Sequence, residues 1–530
     1  MRTRLAYAGF GVLATLVAVA LAHLVAGLTD PAASPVLAVG SQVIDLTPTS
    51  LKEWAIQNFG TKDKPILIGS VFAGVLVLAA IAGVLARRRL ALGAGLLVVL
   101  VVVAGAATAN RPQFETLDLL PSLVAAIVAV AALWFLDRTF RRGSAVAAPH
   151  DAMAGATGSA GDPDVVDSAE RPAPARGASR RGVLVATAVL AAAAAVVGGA
   201  GEWIARVRTR ISNVDLPAAA DPAPPLPQGI EGKIEGITPF QTPNGDFYRV
   251  DTRLTLPVID LDDWTLTIDG DVDQKVSFTF DEILEMPMVE RDITMTCVSN
   301  DVGGKYVGAA RWLGVPLKDL LDRAGIDSTK ADQIFSEDVE GMTISTPLDL
   351  AIDGRDALLA VGMNGEPLPL EHGFPARMVI PGLYGFISAT KWITRMTLTT
   401  YAEQDAYWTK KKWATDAPIK ISSRIDTPKS LSTIDPGETF IGGVAWAQQR
   451  GGVAKVQVRI DGGSWQDATL GPDAGNDYWR QWYLPWNADS GQHALAVRAI
   501  SGDGETQTPV RAKPFPEGSS GVQETRVTVS

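Results

Sequence analysis

The chain has one cysteine and four histidines in 530 residues, so any chemistry begins from very few soft donor atoms. Cys297 stands in Thr294-Met295-Thr296-Cys297-Val298-Ser299-Asn300-Asp301-Val302-Gly303-Gly304, with alternating strand residues before it and a polar, glycine-containing loop after it. That setting puts the thiol at a strand end facing a cleft, where it can do chemistry. The plain alternative is a small buried apolar side chain. Farther along, Leu370-Glu371-His372-Gly373-Phe374-Pro375-Ala376-Arg377 joins an imidazole and a guanidinium across a Gly-Phe-Pro turn. Pro381-Gly382-Leu383-Tyr384-Gly385-Phe386-Ile387-Ser388-Ala389-Thr390-Lys391-Trp392 adds backbone amides, hydroxyls and an ammonium. Cations combined with loop amides make an anion-binding surface. Arg377 and Lys391 can also be read as surface charges, but both stand in otherwise apolar strings, where an unpaired charge is costly.

The elements that must carry these residues belong to a mixed α+β region. Trp264-Thr265-Leu266-Thr267-Ile268 alternates as a half-buried strand, and Leu317 to Ala324 reads as a short amphipathic helix. From about Pro418 the pattern becomes a run of strands closed by turn residues, including Val453 to Ile460 and His493 to Ile500. Strands without helices predict a C-terminal all-β sandwich of immunoglobulin-like type. A single cysteine excludes a disulfide framework, a Cys-rich zinc or iron-sulfur site and a C-x-x-C-H haem attachment.

The chain's 47% hydrophobic residues, only 20% charged residues and positive mean hydropathy together rule out a wholly soluble globule. Five uncharged apolar runs, Leu5 to Leu28, Ile66 to Ala86, Leu90 to Ala109, Leu119 to Leu136 and Gly182 to Gly201, are each near the roughly 20 residues that cross a bilayer. Pro121 near the start of the fourth is tolerated there. The first run, preceded by Arg2 and Arg4, exceeds the h-region of a signal peptide and is read as a retained helix. Twelve arginines, at positions 2 and 4, 87 to 89 and between 138 and 181, would share one side against Lys52, Lys62, Lys64 and Arg111 on the other. The positive-inside rule then puts the N-terminus inside and everything after the fifth span outside. His23 alone among the spans cannot supply paired axial ligands to a membrane haem, so no haem is expected.

Residues 145–181 read as a disordered cytoplasmic linker, rich in Gly, Ala, Ser, Asp and Pro. It closes on Ser179-Arg180-Arg181-Gly182-Val183-Leu184, which resembles a twin-arginine export signal, unless the arginines merely flank a helix. Beyond residue 202 the chain holds 31 basic against 45 acidic side chains, and that acidic balance argues against nucleic-acid binding. The predicted organisation is four transmembrane helices in 1–144, the linker, a fifth helix in 182–202, a spacer in 203–237, an α+β domain in 238–416 and the β-sandwich in 417–530.

The cysteine string, Ala310-Arg311-Trp312-Leu313-Gly314-Val315-Pro316-Leu317, Met363-Asn364-Gly365-Glu366-Pro367-Leu368-Pro369 and the two cationic strings together resemble the sulfite oxidase family of molybdenum cofactor enzymes. The likeness runs from about Thr238 to Thr400, and the segment from about Ala417 resembles the family's immunoglobulin-like dimerisation domain, which is compatible with a homodimer or with a membrane-tethered monomer. It implies a molybdenum-molybdopterin cofactor with Cys297 as the protein thiolate on the metal and hence the catalytic centre. His372, Arg377 and Lys391 would hold the pterin phosphate, with Ser388, Ala389 and Thr390 beside them. Phe247-Tyr248-Arg249 resembles a further cofactor-binding string, which makes Tyr248 and Arg249 candidates as well. Two departures stand out: Met342 occupies the position where the family places a tyrosine, and either Arg249 or Arg253 falls near the substrate-binding arginine.

The resemblance implies a membrane-anchored oxidoreductase acting outside the membrane by two-electron oxygen-atom transfer on a small oxyanion or a sulfur or nitrogen oxide. Electrons would pass to or from a quinone or cytochrome. Two alternatives remain: an extracytoplasmic methionine sulfoxide reductase, and a cofactor-free interaction protein in which Cys297 is a packing residue.

Overall fold

The computed structural model describes residues 2–59, 62–145, 180–208 and 214–530. Residues 146–179 of the expected linker, Ser179 of the export-signal string included, lie outside them; Ala145, Arg180 and Arg181, expected to be disordered, are helical. The chain divides into two compact units, one of Met1–Thr47, Lys62–Arg208 and Arg253–Thr255, the other of Pro48–Thr61, Thr209–Thr252 and Leu256–Ser530.

The first unit is helical. It contains α1 (Arg2–Leu28) and α2 (Pro35–Leu46); after α3 (Thr49–Phe59), which belongs to the second unit, follow α4 (Asp63–Ala86), α5 (Leu90–Ala109), α6 (Leu120–Ala145) and α7 (Arg180–Arg208). Among the described residues, four helical stretches are long and apolar enough to span a membrane: Thr3–Leu28, Lys64–Ala86, Leu90–Ala109 and Thr116–Arg141. The fifth expected span falls in α7, whose described apolar portion is the shorter Thr187–Gly201. Pro121 sits at the second position of α6, where a missing amide hydrogen is harmless. Gly11 of α1 and Gly83 of α4 meet backbone to backbone, and a side-chain carbon on either would collide with the other helix. Small residues permit such crossings where lipid offers no hydrophobic drive.

In the second unit, one sheet has the order β2-β1-β10-β5-β6, with β1 Thr265–Gly270, β2 Val276–Thr279, β5 Gln333–Asp338, β6 Thr343–Pro347 and β10 Ile393–Thr399. A second runs β3-β4-β7-β8, with β3 Val289–Thr296, β4 Val307–Pro316, β7 Leu358–Met363 and β8 Glu366–Pro367, and β9 (Arg377–Val379) pairs with β7. The alternation read in β1 is present: Leu266 and Ile268 are fully buried while Thr267 and Asp269 are half-buried. The helix Leu317–Ala324 buries Leu317, Leu320, Leu321 and Ala324, one face of a 3.6-residue repeat.

β3 departs from simple alternation, because its last four residues, Ile293 to Thr296, are all buried. One face supplies Ile293 and Met295 to a core with Phe247 and Trp312. On the other, Thr294 is held by the C-terminal region: its amide donates to the Asp477 carbonyl (2.9 Å) and its hydroxyl accepts from the Trp479 amide (2.9 Å).

That C-terminal region consists of two β-sheets, one of Ser422–Thr427, Gly437–Trp446, Arg480–Ala488 and Thr469–Leu470, the other of Thr433–Ile434, Gln523–Val529, Gly491–Ser501, Val453–Ile460 and Gln466–Asp467. Both contribute to one core, with Ile441 and Trp482 from the first and Val456, Leu495 and Val497 from the second. The predicted strands Val453 to Ile460 and His493 to Ile500 are antiparallel neighbours. Trp479 and Tyr478 are buried in the core of the α+β region and both donate to the Phe240 carbonyl, at 2.7 and 3.0 Å. Burying side chains of this size stabilises by roughly 1.5–3 kcal/mol each. Part of the expected spacer also lies along β3, since Asp221 forms a parallel bridge with Val289.

Candidate functional site

Cys297 directly follows β3, and its amide donates to the Tyr306 carbonyl (2.9 Å), one step beyond the β3–β4 ladder. The chain then turns: the Asn300 amide donates to the Cys297 carbonyl (3.0 Å), and Gly303 takes a φ of +78°. The Ser299 amide points at Sγ, 3.4 Å away. Burial pushes the Cys297 thiol up to about 11, opposed by the Ser299 hydrogen bonds and the charge of Lys391. A buried thiol of this kind is protonated at neutral pH and becomes a thiolate only when a cation replaces its proton.

Two phenols interact electrostatically with this thiol. Burial raises the pKa of Tyr248, and that of Tyr384 to about 12, and in both the charge of Cys297 adds to the effect. Tyr248 stacks on Phe247 with ring centres 5.2 Å apart. Gly385 lies between these elements: a side-chain carbon there would be in ordinary contact with the Tyr248 hydroxyl (3.9 Å) and the Thr296 carbonyl (4.0 Å). Met342 lies in the turn between β5 and β6, where its amide donates to Asp338 Oδ1 (2.9 Å).

The cationic strings converge at Gly373. This residue follows the 3-10 turn Leu370–His372 with φ +115°, and a side-chain carbon there would press on Cβ of Arg377 (3.0 Å) and Cβ of Lys391 (3.1 Å). Arg377, opening β9, bridges to Lys391 as an isolated antiparallel pair. Its Nη1 donates to the His372 carbonyl (2.9 Å), and its guanidinium lies 5.1 Å from the centre of the Trp312 ring. Among the described residues no carboxylate pairs with Arg377. Burial pulls Arg377 down to about 10, still a cation at neutral pH. Lys391 Nζ donates to Asp251 Oδ2 (2.5 Å) and the Glu371 carbonyl (3.2 Å). Arg249 reaches the same carboxylate, Nε to Oδ2 at 2.8 Å. Burial, with the neighbouring arginines adding to it, brings Lys391 down to about 8 even though Asp251 opposes the shift.

Arg249 and Lys391 thus share one carboxylate, Asp251, while Arg377, bridged to Lys391, has none among the described residues. A buried surplus of positive charge is costly unless an anion completes it, and a phosphate would do so. The donor set therefore fits a phosphorylated cofactor whose metal takes the thiol.

The remaining candidates are close by but differently engaged. His372 Nε2 meets the Asn244 carbonyl at 2.9 Å, so that nitrogen carries the proton and Nδ1 does not; burial drops its pKa to about 4 and leaves the ring neutral. The Ser388 hydroxyl lies 3.1 Å from both the Leu383 and Tyr384 carbonyls. The Thr390 hydroxyl contacts Ser336 Oγ (2.6 Å), which itself donates to the Ile344 carbonyl. Ala389 is buried beside Gly385. Arg253 groups with the helical unit, unlike Arg249.

Sequence reasoning missed Asp251, Asn244 and Tyr384. Asp251 stands two residues after Arg249, and a carboxylate that close to a candidate cation was the available signal. The carbonyl role of Asn244 leaves no side-chain signature.

Residues 253–408 match the oxidoreductase molybdopterin binding domain family. Mitochondrial sulfite oxidase of Homo sapiens is 31% identical over 305 residues, 49% of this chain and 55% of that protein. Inducible nitrate reductase (NADH) 1 of Glycine max is 29% identical over 307 residues, 46% of this chain and 34% of that protein. The chain spans about half or less of the length of these relatives. The crystal structure of the sulfane dehydrogenase SoxCD from Paracoccus pantotrophus aligns at 23% identity with a TM-score of 0.48, covering 54% of this chain and 81% of that one.

Proposed function

A molybdopterin-binding oxidoreductase domain of the sulfite oxidase family occupies residues 253–408, and from that premise we propose a membrane-anchored enzyme that acts on a small sulfur or nitrogen oxyanion outside the membrane. The observation that carries the reading is a buried guanidinium, Arg377, with no carboxylate partner among the described residues, in a cationic cluster whose Lys391 charge also acts on the Cys297 thiol. When bound, the cofactor supplies a two-electron centre for oxygen-atom transfer, and the protein supplies binding, orientation and electrostatics.

Each residue then has a defined task. Cys297, deprotonated, would serve as the protein thiolate on the metal. Arg377, Lys391 and Arg249 hold the cofactor phosphate, and Asp251 keeps Lys391 and Arg249 aligned toward it. His372, neutral and bonded to Asn244, orients Arg377 through its carbonyl and adds no charge of its own. Ser388, Ala389 and Thr390 shape the wall through the backbone, since both hydroxyls are engaged within the fold. Tyr248 and Tyr384 are phenols on which the charge of Cys297 acts. The names of the relatives, sulfite oxidase and nitrate reductase, share a small oxyanion substrate, and this supports the substrate class.

The fifth span lies in α7, after the twin-arginine string, and leaves the α+β and immunoglobulin-like domains on the outer face. Domain limits of 238–416 and 417–530 follow from this organisation. An external quinone or cytochrome exchanges the electrons, and the C-terminal sandwich mediates homodimer formation.

Elemental analysis of the full chain purified from molybdate-fed cells tests the reading. About one molybdenum per chain is expected for a mononuclear centre. Metal-free protein from such cells would overturn the reading in favour of a cofactor-free interaction protein.

A further inference from the structure

The turn that carries Cys297 is gripped from outside its own sheet. Ser519, in the C-terminal region, donates its hydroxyl to the Asn300 carbonyl at 2.6 Å. Asn300 is the residue whose amide closes the turn on the Cys297 carbonyl (3.0 Å) and whose side-chain oxygen accepts from the Tyr306 amide (2.8 Å). Tyr306 in turn accepts the Cys297 amide. One hydroxyl thus acts on a closed circuit of two backbone bonds and one side-chain bond around the cysteine.

Three further contacts point the same way. Arg424 Nη1 donates to the Gly304 carbonyl (3.0 Å) at the far end of the turn. Gln523 packs directly over Gly303, where a side-chain carbon would lie 2.6 Å from its Nε2. Gly518, next to Ser519, lies flat against the Tyr384 ring, where a carbon would approach Cε2 to 2.5 Å. The strand leading into the turn is braced as well, with Gln448 Nε2 donating to the Thr294 carbonyl (2.5 Å).

We infer that the C-terminal β-region is a positioning element for Cys297, and that Ser519, acting through Asn300, is its principal point of control over where the thiol sits. This rests on the reading of Cys297 as the metal ligand. A metal–thiolate bond is sensitive to ligand orientation, and outer contacts that fix a ligand tune its site. Ser519 touches neither the thiol nor the cofactor; it holds the peptide that holds the thiol.

Because Cys297 is the chain's single cysteine, thiol labelling reports on it alone. The test compares the full-length wild type with Ser519→Ala, Ser519→Thr and Ser520→Ala, each prepared both metal-free and loaded. Ser520 is the control, since its hydroxyl bonds within the C-terminal region to the Val510 carbonyl. In metal-free protein, Ser519→Ala should raise the rate of iodoacetamide alkylation roughly threefold to tenfold, the population shift expected for loss of one hydrogen bond. Ser519→Thr should restore the rate and Ser520→Ala leave it unchanged. In loaded protein, Ser519→Ala should shift the Mo(V) electron paramagnetic resonance signal, a readout that a merely structural role would not move. An unchanged alkylation rate in Ser519→Ala, or an equal rise in Ser520→Ala, overturns the inference. If loaded wild type keeps its molybdenum yet alkylates as fast as metal-free protein, Cys297 is not the ligand and the underlying reading fails instead.

Discussion

Arg377 and Lys391 face each other across an isolated β-bridge, with Gly373 packed against the Cβ atoms of both. The two cations are held side by side, yet only Lys391 has an acidic partner, Asp251, among the described residues. Arg377 leans instead on the Trp312 ring and the His372 carbonyl. This asymmetry makes Arg377 the residue most dependent on an anion.

Arg377→Ala should therefore give protein poor in both pterin and metal. Each lost bond to a charged group is worth about 1.5–3 kcal/mol, so phosphate affinity should fall by at least roughly tenfold. Arg377→Lys keeps a charge but not the planar fork and should be intermediate. Parallel assay of molybdenum and pterin content checks this, and wild-type occupancy in Arg377→Ala would refute it.

Lys391 predicts a pH dependence. With its pKa down to about 8, it loses its charge as pH rises through that value, and phosphate binding should weaken in the same window. The linkage to stability has the opposite sign: the unfolded lysine, with a pKa of about 10.4, binds more protons than the folded one between these values, so the unloaded fold gains stability as pH rises from about 8. Cofactor retention of wild type and Lys391→Arg, measured from pH 7 to about 9.5, separates the two effects. The arginine variant should retain cofactor across the range, and parallel loss from both proteins would rule out Lys391 as the titrating group.

Gly373→Ala tests the convergence point. Its φ of +115° is unfavourable for alanine, and the added carbon would meet Arg377 and Lys391. A cost of about 1–3 kcal/mol is expected from the backbone alone. Thermal melting should show it together with reduced cofactor content; a variant that melts and loads like wild type would mean that the turn can relax.

Cys297→Ser should abolish metal binding while the protein still folds, because Ser and Cys are similar in size and the position is buried mainly by its surroundings. Circular dichroism and metal content measured together decide it. A serine variant that retains molybdenum would exclude the thiolate role.

The direction of turnover separates the proposed activity from sulfoxide repair. Loaded protein should reduce an oxidised dye with sulfite, or oxidise a reduced dye with nitrate, faster than it oxidises the reduced dye with methionine sulfoxide. Exclusive turnover with the sulfoxide would replace the oxyanion assignment.

Much of this site was legible in the chain because its residues lie in short strings with local signatures. Cys297 stands where strand alternation stops and a glycine loop begins, and His372, Arg377 and Lys391 flank turn residues in apolar surroundings. The roles within the site were less legible. His372 is charged or neutral according to its burial, and burial depends on Phe247 and Asn244, more than a hundred residues earlier. The hydroxyls of Ser388 and Thr390 resemble ligand donors until Leu383, Tyr384 and Ser336 are found to engage them.

By itself, the sequence determined the apolar runs, the strand and helix periodicities and the isolation of one cysteine, because these are local properties of residue order. Tertiary structure alone decided which cation would lack a carboxylate, which phenols would feel the charge of the thiol and that Ser519 would hold the Asn300 carbonyl. Those outcomes depend on the register of strands distant in the chain, and a pairing between distant residues leaves no pattern in either one's neighbours.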